Sequence, residues 1–248
     1  MKNKILQKLK EVEREHNVCV LFAVESGSRA WGFASPDSDY DIRFVYVRPK
    51  EAYLSLWESR DTIQFMTEDD LDGSGWDLRK ATKLLAKTNA SFLGWLFSPI
   101  VYLDREDTLE EMKQLARENF NPVAGFYHYH SMNKGFDELL DTEDMTLKSY
   151  FYAIRTALCA NWIVLNESVP PVAFRELYSL VSEGEAQLLD ALIMVKAEAK
   201  EKHKISVDPK LIALAKRVVL ENNEKQNEVG SRKVDVKAFD SFFIKQVS

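Results

Sequence analysis

Hydrophobic residues recur at two different spacings along the first hundred residues of the chain. Ile5, Leu9 and Val12 stand three or four apart in a charged background, which predicts an amphipathic helix that ends near Asn17. Continuous apolar runs follow, and such runs are typical of buried β-strands. We predict strands over 18–24, 41–47, 62–66 and 100–103, and a helix over 78–88.

From about residue 106 onward the hydrophobic spacing is mostly helical. It predicts helices near 106–118, 122–140, 146–166, 184–202 and 208–222, with a break at Pro170-Pro171. The pattern of 234–244 does not distinguish helix from strand. The change of spacing predicts two domains, an α/β domain over 1–105 and a helical domain over 106–248 that forms the other wall of a cleft.

Composition and charge narrow the functional classes. Hydrophobic residues make up 46% of the chain and charged residues 29%, which is ordinary for a globular protein. The net charge of −6 argues against a large basic face for long nucleic acid, although a small anionic substrate needs only a local basic pocket. No apolar run approaches the ~18 residues of a membrane span, and the first residues lack a signal-peptide core, so we expect a cytoplasmic protein without a membrane partner.

The candidate functional residues lie close together between Gly27 and Asp41. Gly27-Ser28 follows the first predicted strand, and glycine there permits a tight turn whose backbone N–H groups, with the serine hydroxyl, suit a triphosphate. Asp39 and Asp41 stand two apart at the head of the second strand, so their carboxylates project to the same face. Like charges so close repel each other unless a cation lies between them, and hard oxygen ligands suit magnesium.

Each part of this motif also has an ordinary structural interpretation. A Gly-Ser turn before a helix is common, and aspartates are frequent in turns and as helix N-caps. Function is indicated by the combination of a buried strand, Gly-Ser, a spacer and Asp-x-Asp entering a second buried strand. P-loop, Rossmann, zinc and nucleophile-elbow patterns are absent from the sequence.

The combination resembles the signature of the DNA polymerase β-like nucleotidyltransferases. Segments 25–32 and 38–43 are similar to a bacterial family of predicted nucleotidyltransferases associated with RNA repair, and looser matches lie at 75–80, 95–102 and 148–155. The resemblance implies an α/β (α+β) fold: a polymerase β-like palm with a small mixed sheet, followed by a helical bundle domain.

The resemblance also implies a reaction and its cofactors. A nucleoside monophosphate would pass from a nucleoside triphosphate such as ATP to a hydroxyl, with release of pyrophosphate and with two Mg²⁺ or Mn²⁺ ions held by Asp39 and Asp41. A third metal-binding and catalytic carboxylate is implied on a neighbouring strand, and the match places it at Asp77. Because 73–75 is weak strand sequence, Asp70 and Asp72 are alternatives, and Asp77 can equally be a helix N-cap.

The residues implied to bind the nucleotide lie in both predicted domains. They are Gly27, Ser28, Arg29, Lys148, Tyr152 and Arg155. The last three share one helix face, which suits phosphate binding but also fits a solvated or salt-bridged face. Arg29 and Arg43 flank the acidic motif, where either can bind phosphate or act as a counter-ion to the aspartates.

The acceptor is the most open part of the interpretation. The resemblance indicates an RNA 3′ end, while a small molecule such as an aminoglycoside, or a protein side chain, is also compatible. The alternative function is a catalytically silent nucleotide-binding or regulatory module, such as a toxin-neutralising partner. The intact Asp-x-Asp argues against that alternative, because a pure binding protein has no need of two clustered like charges.

Overall fold

A computed structural model describes residues 1–68, 70–137, 146–198 and 207–248, with the side chains of 135–137 left out. The strands in these ranges are β1 (Cys19–Glu25), β2 (Tyr40–Val47), β3 (Thr62–Met66), β4 (Leu71–Asp77) and β5 (Val101–Asp104). The helices there are α1 (Lys2–His16), α2 (Gly27–Trp31), α3 (Lys50–Leu54), α4 (Leu78–Ala86), α5 (Ala90–Leu96), α6 (Thr108–Asn119), α7 (Pro122–Asp137), α8 (Leu147–Asn166), α9 (Glu183–Glu198), α10 (Pro209–Lys225) and α11 (Val236–Val247), with a 3₁₀ helix at Phe174–Leu180.

The strands of the described residues form one mixed sheet in the order β3-β4-β2-β1-β5. Strands β2 and β4 are parallel, and the other neighbouring pairs are antiparallel. The predicted α/β fold with a small mixed sheet and many helices is confirmed. Parts of the predicted helices 122–140 and 184–202 lie outside the described residues. No helix in the described ranges is long and apolar enough to cross a membrane.

Strand β4 was not predicted, because its sequence contains two glycines and strand propensity is low there. The structure shows what these glycines do. A Cβ atom at Gly73 would lie 2.1 Å from the ring of Phe65, and one at Gly75 would lie 2.1 Å from the ring of Phe44. The rings of neighbouring strands thus fill the space over the glycines, and a side chain at either position would displace them.

The chain forms two compact units that do not follow the predicted boundary. Unit 1 contains residues 1–30, 39–119 and 233–248, and unit 2 contains residues 31–38 and 120–232. The predicted boundary at residue 105 lies within unit 1, because α6 packs against β1, α4 and α5. Its apolar face, with Leu109 and Met112, is buried there.

Helices α1 and α11 both pack within unit 1. Helix α1 buries Ile5, Leu9 and Val12 in the same core as Phe44 and Tyr46 of β2, as its amphipathic spacing predicts. Helix α11, whose segment was ambiguous in the sequence, packs against α4 and buries Phe239 and Phe242.

Unit 2 is built around α8, which packs against α7, α10 and the 3₁₀ helix. An aromatic cluster lies in its core. Phe33 stacks on Phe151 with ring centres 4.6 Å apart, and Phe174 meets Phe33 edge-on at 5.5 Å. Segment 31–38 therefore contributes a buried side chain to unit 2, although it lies in sequence between two parts of unit 1.

Candidate active site

Helix α2 begins at Gly27 in a backbone conformation that favours glycine. Its φ is +63°, in the left-handed region, and a Cβ atom at this position would lie 2.1 Å from Asp41 Oδ2. The neighbouring Ser26 N–H donates to the carbonyl oxygen of Asp41 at 2.8 Å. The Gly-Ser turn is therefore fixed directly against the Asp41 carboxylate, and the absence of a side chain at Gly27 makes this approach possible.

Asp41 and Asp72 lie side by side on the parallel strands β2 and β4. Arg43 bridges them, since its Nη2 donates to Asp41 Oδ1 at 2.8 Å and to Asp72 Oδ2 at 2.9 Å. Its Nη1 also donates to the Asp72 carbonyl oxygen at 3.0 Å. The carboxylate side chains keep 29% and 35% of their surface exposed. Of the two interpretations of Arg43, the structure shows the counter-ion.

Asp39 is exposed and lies one residue before β2. Its carbonyl oxygen accepts a hydrogen bond from Arg29 Nε at 3.0 Å, and the Arg29 guanidinium lies 3.9 Å from the centre of the Tyr40 ring. Arg29 therefore holds the backbone that leads into β2. Ser28, which follows Gly27 in α2, is half-buried.

Asp77 lies at the other end of β4 from the acidic pair, opposite Tyr46 of β2. Its Oδ1 accepts from the Arg79 backbone N–H at 2.8 Å and caps α4, while its Oδ2 accepts from the Tyr53 hydroxyl at 3.0 Å. Arg48 Nε lies 3.8 Å from the same oxygen. Burial raises the pKa of the Asp77 carboxyl. These contacts correspond to the N-cap interpretation of Asp77.

The structure thus brings Asp72 to Asp41 and leaves Asp77 distant from both motif aspartates. Asp70, the other alternative, is exposed in the turn before β4 with φ +58°, and its carbonyl oxygen accepts from the Tyr40 N–H at 2.9 Å. The register of β2 against β4 puts Asp72 beside Asp41, and that register is not visible in a sequence whose β4 segment is rich in glycine.

Glu25 is a buried site residue to which the sequence gave no role of its own. It ends β1 with no exposed surface. Its Oε1 accepts from the Asp41 N–H at 2.8 Å, and its Oε2 accepts from the Tyr102 hydroxyl. Burial raises the pKa of its carboxyl, and the negative charge of Asp41 raises it further. A glutamate at the end of an apolar run is the signal that marks it, because an ionisable side chain is rarely buried without a specific partner.

The acidic pair has the chemistry of a divalent-cation site, although it is smaller than the three-carboxylate set expected from the resemblance. Two carboxylates converge, both partly exposed, and the positive charge of a guanidinium already lies between them. Carboxylate oxygens are ligands that Mg²⁺ prefers. Within the described residues, no group of three histidine, cysteine or acidic side chains is placed to hold a metal ion. Asp39 is therefore not part of a preformed triad.

The three candidate nucleotide-binding residues of α8 all lie in unit 2. Lys148 is exposed in the first turn of the helix. Tyr152 meets the Trp31 ring edge-on at 4.8 Å, and the Arg155 guanidinium lies 4.5 Å from the centre of that ring. Arg155 is 5% exposed, and its Nη2 donates to the Val172 carbonyl oxygen at 3.4 Å. Tyr152 and Arg155 therefore meet on Trp31, and Arg155 is buried beside it.

The chain is similar to a protein family, to a Bacillus protein and to a solved structure. The profile of the RlaP family, described as the RNA repair pathway DNA polymerase beta family, matches residues 1–245. The chain is 42% identical to the uncharacterized protein YcgL of Bacillus subtilis (strain 168) over 204 residues, which cover 81% of this chain and 78% of YcgL. The crystal structure of a nucleotidyltransferase-like protein from Exiguobacterium sibiricum 255-15 aligns over 97% of this chain and 78% of that one, at 11% identity and a TM-score of 0.33. From the family match over residues 1–245, this chain belongs to the RNA repair pathway DNA polymerase beta family, a polymerase β-like nucleotidyltransferase group.

Proposed function

We propose that this chain transfers a nucleoside monophosphate from a nucleoside triphosphate to the hydroxyl of an RNA end. The observation that carries the proposal is the pairing of Asp41 with Asp72 in register on two parallel strands, with the Gly27 turn packed against Asp41. A cation-binding carboxylate pair beside a glycine turn suits the phosphates of a triphosphate and their counter-ions. The family supports the reaction class, and its RNA repair description supports the acceptor.

In the proposed reaction, the acceptor oxygen forms a bond to the α-phosphorus while the bond to pyrophosphate breaks. We assign Asp39, Asp41 and Asp72 as the ligands of two Mg²⁺ or Mn²⁺ ions. When bound, these ions would offset the phosphate charge and lower the pKa of the attacking hydroxyl. Asp72 accepts the hydroxyl proton.

Other residues position these groups. Glu25 fixes Asp41 by accepting its backbone N–H, and Arg29 fixes the backbone at Asp39. Gly27 and Ser28 are assigned to the triphosphate. Within unit 2, Arg155 is buried and is assigned to position Trp31.

The test is transfer from four α-labelled nucleoside triphosphates to a short RNA, with Mg²⁺ or Mn²⁺ present. We expect Asp41→Asn and Asp72→Asn to lower transfer at least ~100-fold, because charge stabilisation by such a site is worth several kcal/mol. Asp77→Asn is the matched control. It removes the same charge from the other end of β4, and asparagine caps a helix about as well as aspartate, so the protein stays folded and transfer stays within a few-fold.

Different failures of this test contradict different parts of the proposal. A folded Asp77→Asn protein as inactive as Asp41→Asn would return the third-carboxylate role to Asp77. Label found on an aminoglycoside or on protein, and not on RNA, would overturn the RNA acceptor and retain the reaction. Absence of triphosphate binding would overturn the nucleotidyltransferase proposal itself.

One observation favours the second candidate, a catalytically silent nucleotide-binding module. Arg43 pairs with both carboxylates through two hydrogen bonds of 2.8 and 2.9 Å, as in a structural ion-pair network. The silent module predicts that triphosphate binds without label transfer to any acceptor. It also predicts that Asp72→Asn, which leaves the Asp41–Arg43 pair, changes triphosphate affinity by less than about tenfold.

A further inference from the structure

A cavity of about 290 Å³ lies in unit 1 between α3, the loop that follows it, and α4. We call it the α3–α4 pocket. Asp77 lines it, so the pocket lies at the end of β4 remote from Asp72. With a rise of ~3.3 Å per residue along a strand, the five residues from Asp72 to Asp77 place the pocket roughly 16 Å from the acidic pair.

The pocket is basic although the chain as a whole carries a net charge of −6. Its lining contains more cationic than anionic side chains. The cations are Arg48, Arg79, Lys80, Lys83 and Lys87, and the anions are Glu58, Asp61 and Asp77. Lys80 pairs with Asp61 at 2.9 Å, and Arg48 lies 3.8 Å from Asp77. These pairs account for two of the three anions, so the positive excess lies elsewhere in the pocket.

Arg79, Lys83 and Lys87 remain against Glu58, and we follow the two lysines because the Arg79 guanidinium lies over the rings of Tyr53 and Phe243. Both lysines are exposed, and neither has an ion-pair partner within the described part of the chain. Together with Lys80 they stand at i, i+3 and i+7 along α4 and its C-cap, so the three ammonium groups follow one face of the helix. Lysines at this spacing on one helix face repel each other, so the arrangement is unfavourable without an anion to bind them.

Exposed apolar side chains lie in the segment that lines one side of the pocket, and we call them its rim. Leu54 ends α3, Leu56 and Trp57 follow it, and their side chains are 75%, 93% and 83% exposed. Their sequence neighbours Tyr53 and Ser55 line the pocket itself. An aromatic ring left in solvent beside a basic groove is the combination found where proteins hold single-stranded nucleic acid, since phosphates contact the cations and bases stack on the ring.

We propose that the α3–α4 pocket binds single-stranded RNA, with phosphates on Lys83 and Lys87 and a base stacked on Trp57. The proposal rests on the proposed function only for the identity of this RNA as the acceptor. An apolar peptide would suit the rim but leave the unpaired lysines unused, whereas a polynucleotide uses both. At ~3.4 Å per nucleotide, a ten-nucleotide strand spans roughly 34 Å, about twice the distance to the acidic pair.

The test is binding of a fluorescently labelled 12-nucleotide oligouridylate to the full chain, followed by anisotropy in EDTA without triphosphate. We expect Lys83→Gln/Lys87→Gln to weaken binding at least ~10-fold and to lower the slope of log K against log salt by roughly 1.4, which corresponds to two phosphates. The matched control is Lys2→Gln/Lys10→Gln, which removes two exposed lysines from α1 and leaves both quantities unchanged.

Trp57→Ala is expected to weaken binding ~5- to 150-fold, the effect of losing one stacked base, while Leu56→Ala changes it less than about twofold. Equal affinity for inorganic polyphosphate, unaffected by Trp57→Ala, would overturn RNA in favour of a simple anion site. Binding unaffected by the lysine pair, or no binding at all, would overturn the pocket. Asp41→Asn is expected to bind the oligonucleotide normally, so loss of transfer and loss of this site are separate results.

Discussion

At the scale of single residues, Gly27 sets the geometry of the acidic site more directly than any charged group. An alanine there must adopt φ near +63°, at ~1–2 kcal/mol, and its Cβ must push Asp41 away by more than ~1 Å. We expect Gly27→Ala to reduce nucleotide transfer roughly 100-fold, because a displacement of this size in a catalytic group has about that effect.

The Gly32→Ala variant distinguishes backbone strain from displacement of Asp41 as the cause of the lost transfer. Gly32 also has positive φ, at +88°, but a Cβ there meets nothing within 4 Å in the described residues. Urea unfolding should therefore show a similar loss of stability in both variants, while the transfer assay shows a loss only for Gly27→Ala. Equal loss of transfer in both would assign the effect to backbone strain and not to Asp41.

Glu25 makes the stability of unit 1 depend on pH. Because burial raises the pKa of this carboxyl above its ordinary value of 4.5, the native state binds the proton more tightly than the unfolded chain does. Its contribution to the free energy of unfolding is therefore complete below pH ~4.5 and is lost as the pH rises through the raised native pKa.

Glu25→Gln is expected to reduce that pH dependence. Glutamine keeps an acceptor for the Asp41 N–H but has no proton to lose. Between pH ~4.5 and ~7.5, urea unfolding should show a shallower fall in stability with pH than in the parent, with a difference of at most ~1.4 kcal/mol per pH unit. Asp77, whose pKa is also raised by burial, contributes to the pH dependence of stability that remains in the variant. An unchanged slope would contradict this account.

The sequence identifies some site residues and not others for a physical reason. Asp39 and Asp41 are two residues apart at the start of β2, so their relation is local along the chain. Asp72 joins Asp41 only through the register of β2 against β4, which depends on how distant segments pack. The family resemblance placed the third carboxylate at Asp77, whereas its position before a strong helix predicted an N-cap, and its side chain does cap α4.

At the scale of elements, the hydrophobic spacing predicted the helices and strands that are stabilised by one amphipathic face or by a continuous buried run. Helix α1 and strand β3 are examples, and the β3 bounds agree with the predicted 62–66. Strand β4 was not predicted because Gly73 and Gly75 have low strand propensity, and only the packed structure shows that the rings of Phe65 and Phe44 fill the space beside them. Tertiary packing overrides propensity there, and no window of neighbouring residues contains that information.

The ambiguous segment at the end of the described chain became α11 for the same reason. Phe242, 8% exposed, packs with this helix against α4. Phe242→Ala is expected to lower the free energy of unfolding by ~3 kcal/mol, as a buried phenylalanine does when it is truncated. Ile244→Ala on the same helix, where the side chain is 60% exposed, should change it by less than ~0.5 kcal/mol. Equal effects in thermal or urea unfolding would contradict the packing of α11.

At the scale of the whole molecule, the two units are interleaved along the chain. The sequence places a boundary where strands give way to helices, but secondary-structure type does not reveal which unit a helix packs in. Helix α6 lies beyond that boundary and belongs to unit 1, while segment 31–38 lies before it and belongs to unit 2. The predicted boundary at residue 105 follows the change in hydrophobic spacing, whereas the two units follow the packing of distant segments.

Phe33→Ala should show this interleaving in solution. Phe33 is 2% exposed and stacks on Phe151 of α8, so its truncation is expected to destabilise unit 2 by ~3–5 kcal/mol. Hydrogen exchange should accelerate more in α8 than in β1 and β2. Val45→Ala, at a fully buried position of β2, should accelerate hydrogen exchange more in β1 and β2 than in α8. Faster exchange confined to the strands in Phe33→Ala would contradict the assignment of 31–38 to unit 2.

The return of α11 to unit 1 also fixes the order in which the protein is completed on the ribosome. Domains of many proteins fold one after another as the chain emerges, beginning with the N-terminal one. Here the first unit to begin is completed by residues 233–248, which are translated after the whole of unit 2. The surface of α4 that α11 covers therefore stays exposed until more than a hundred later residues have been synthesised.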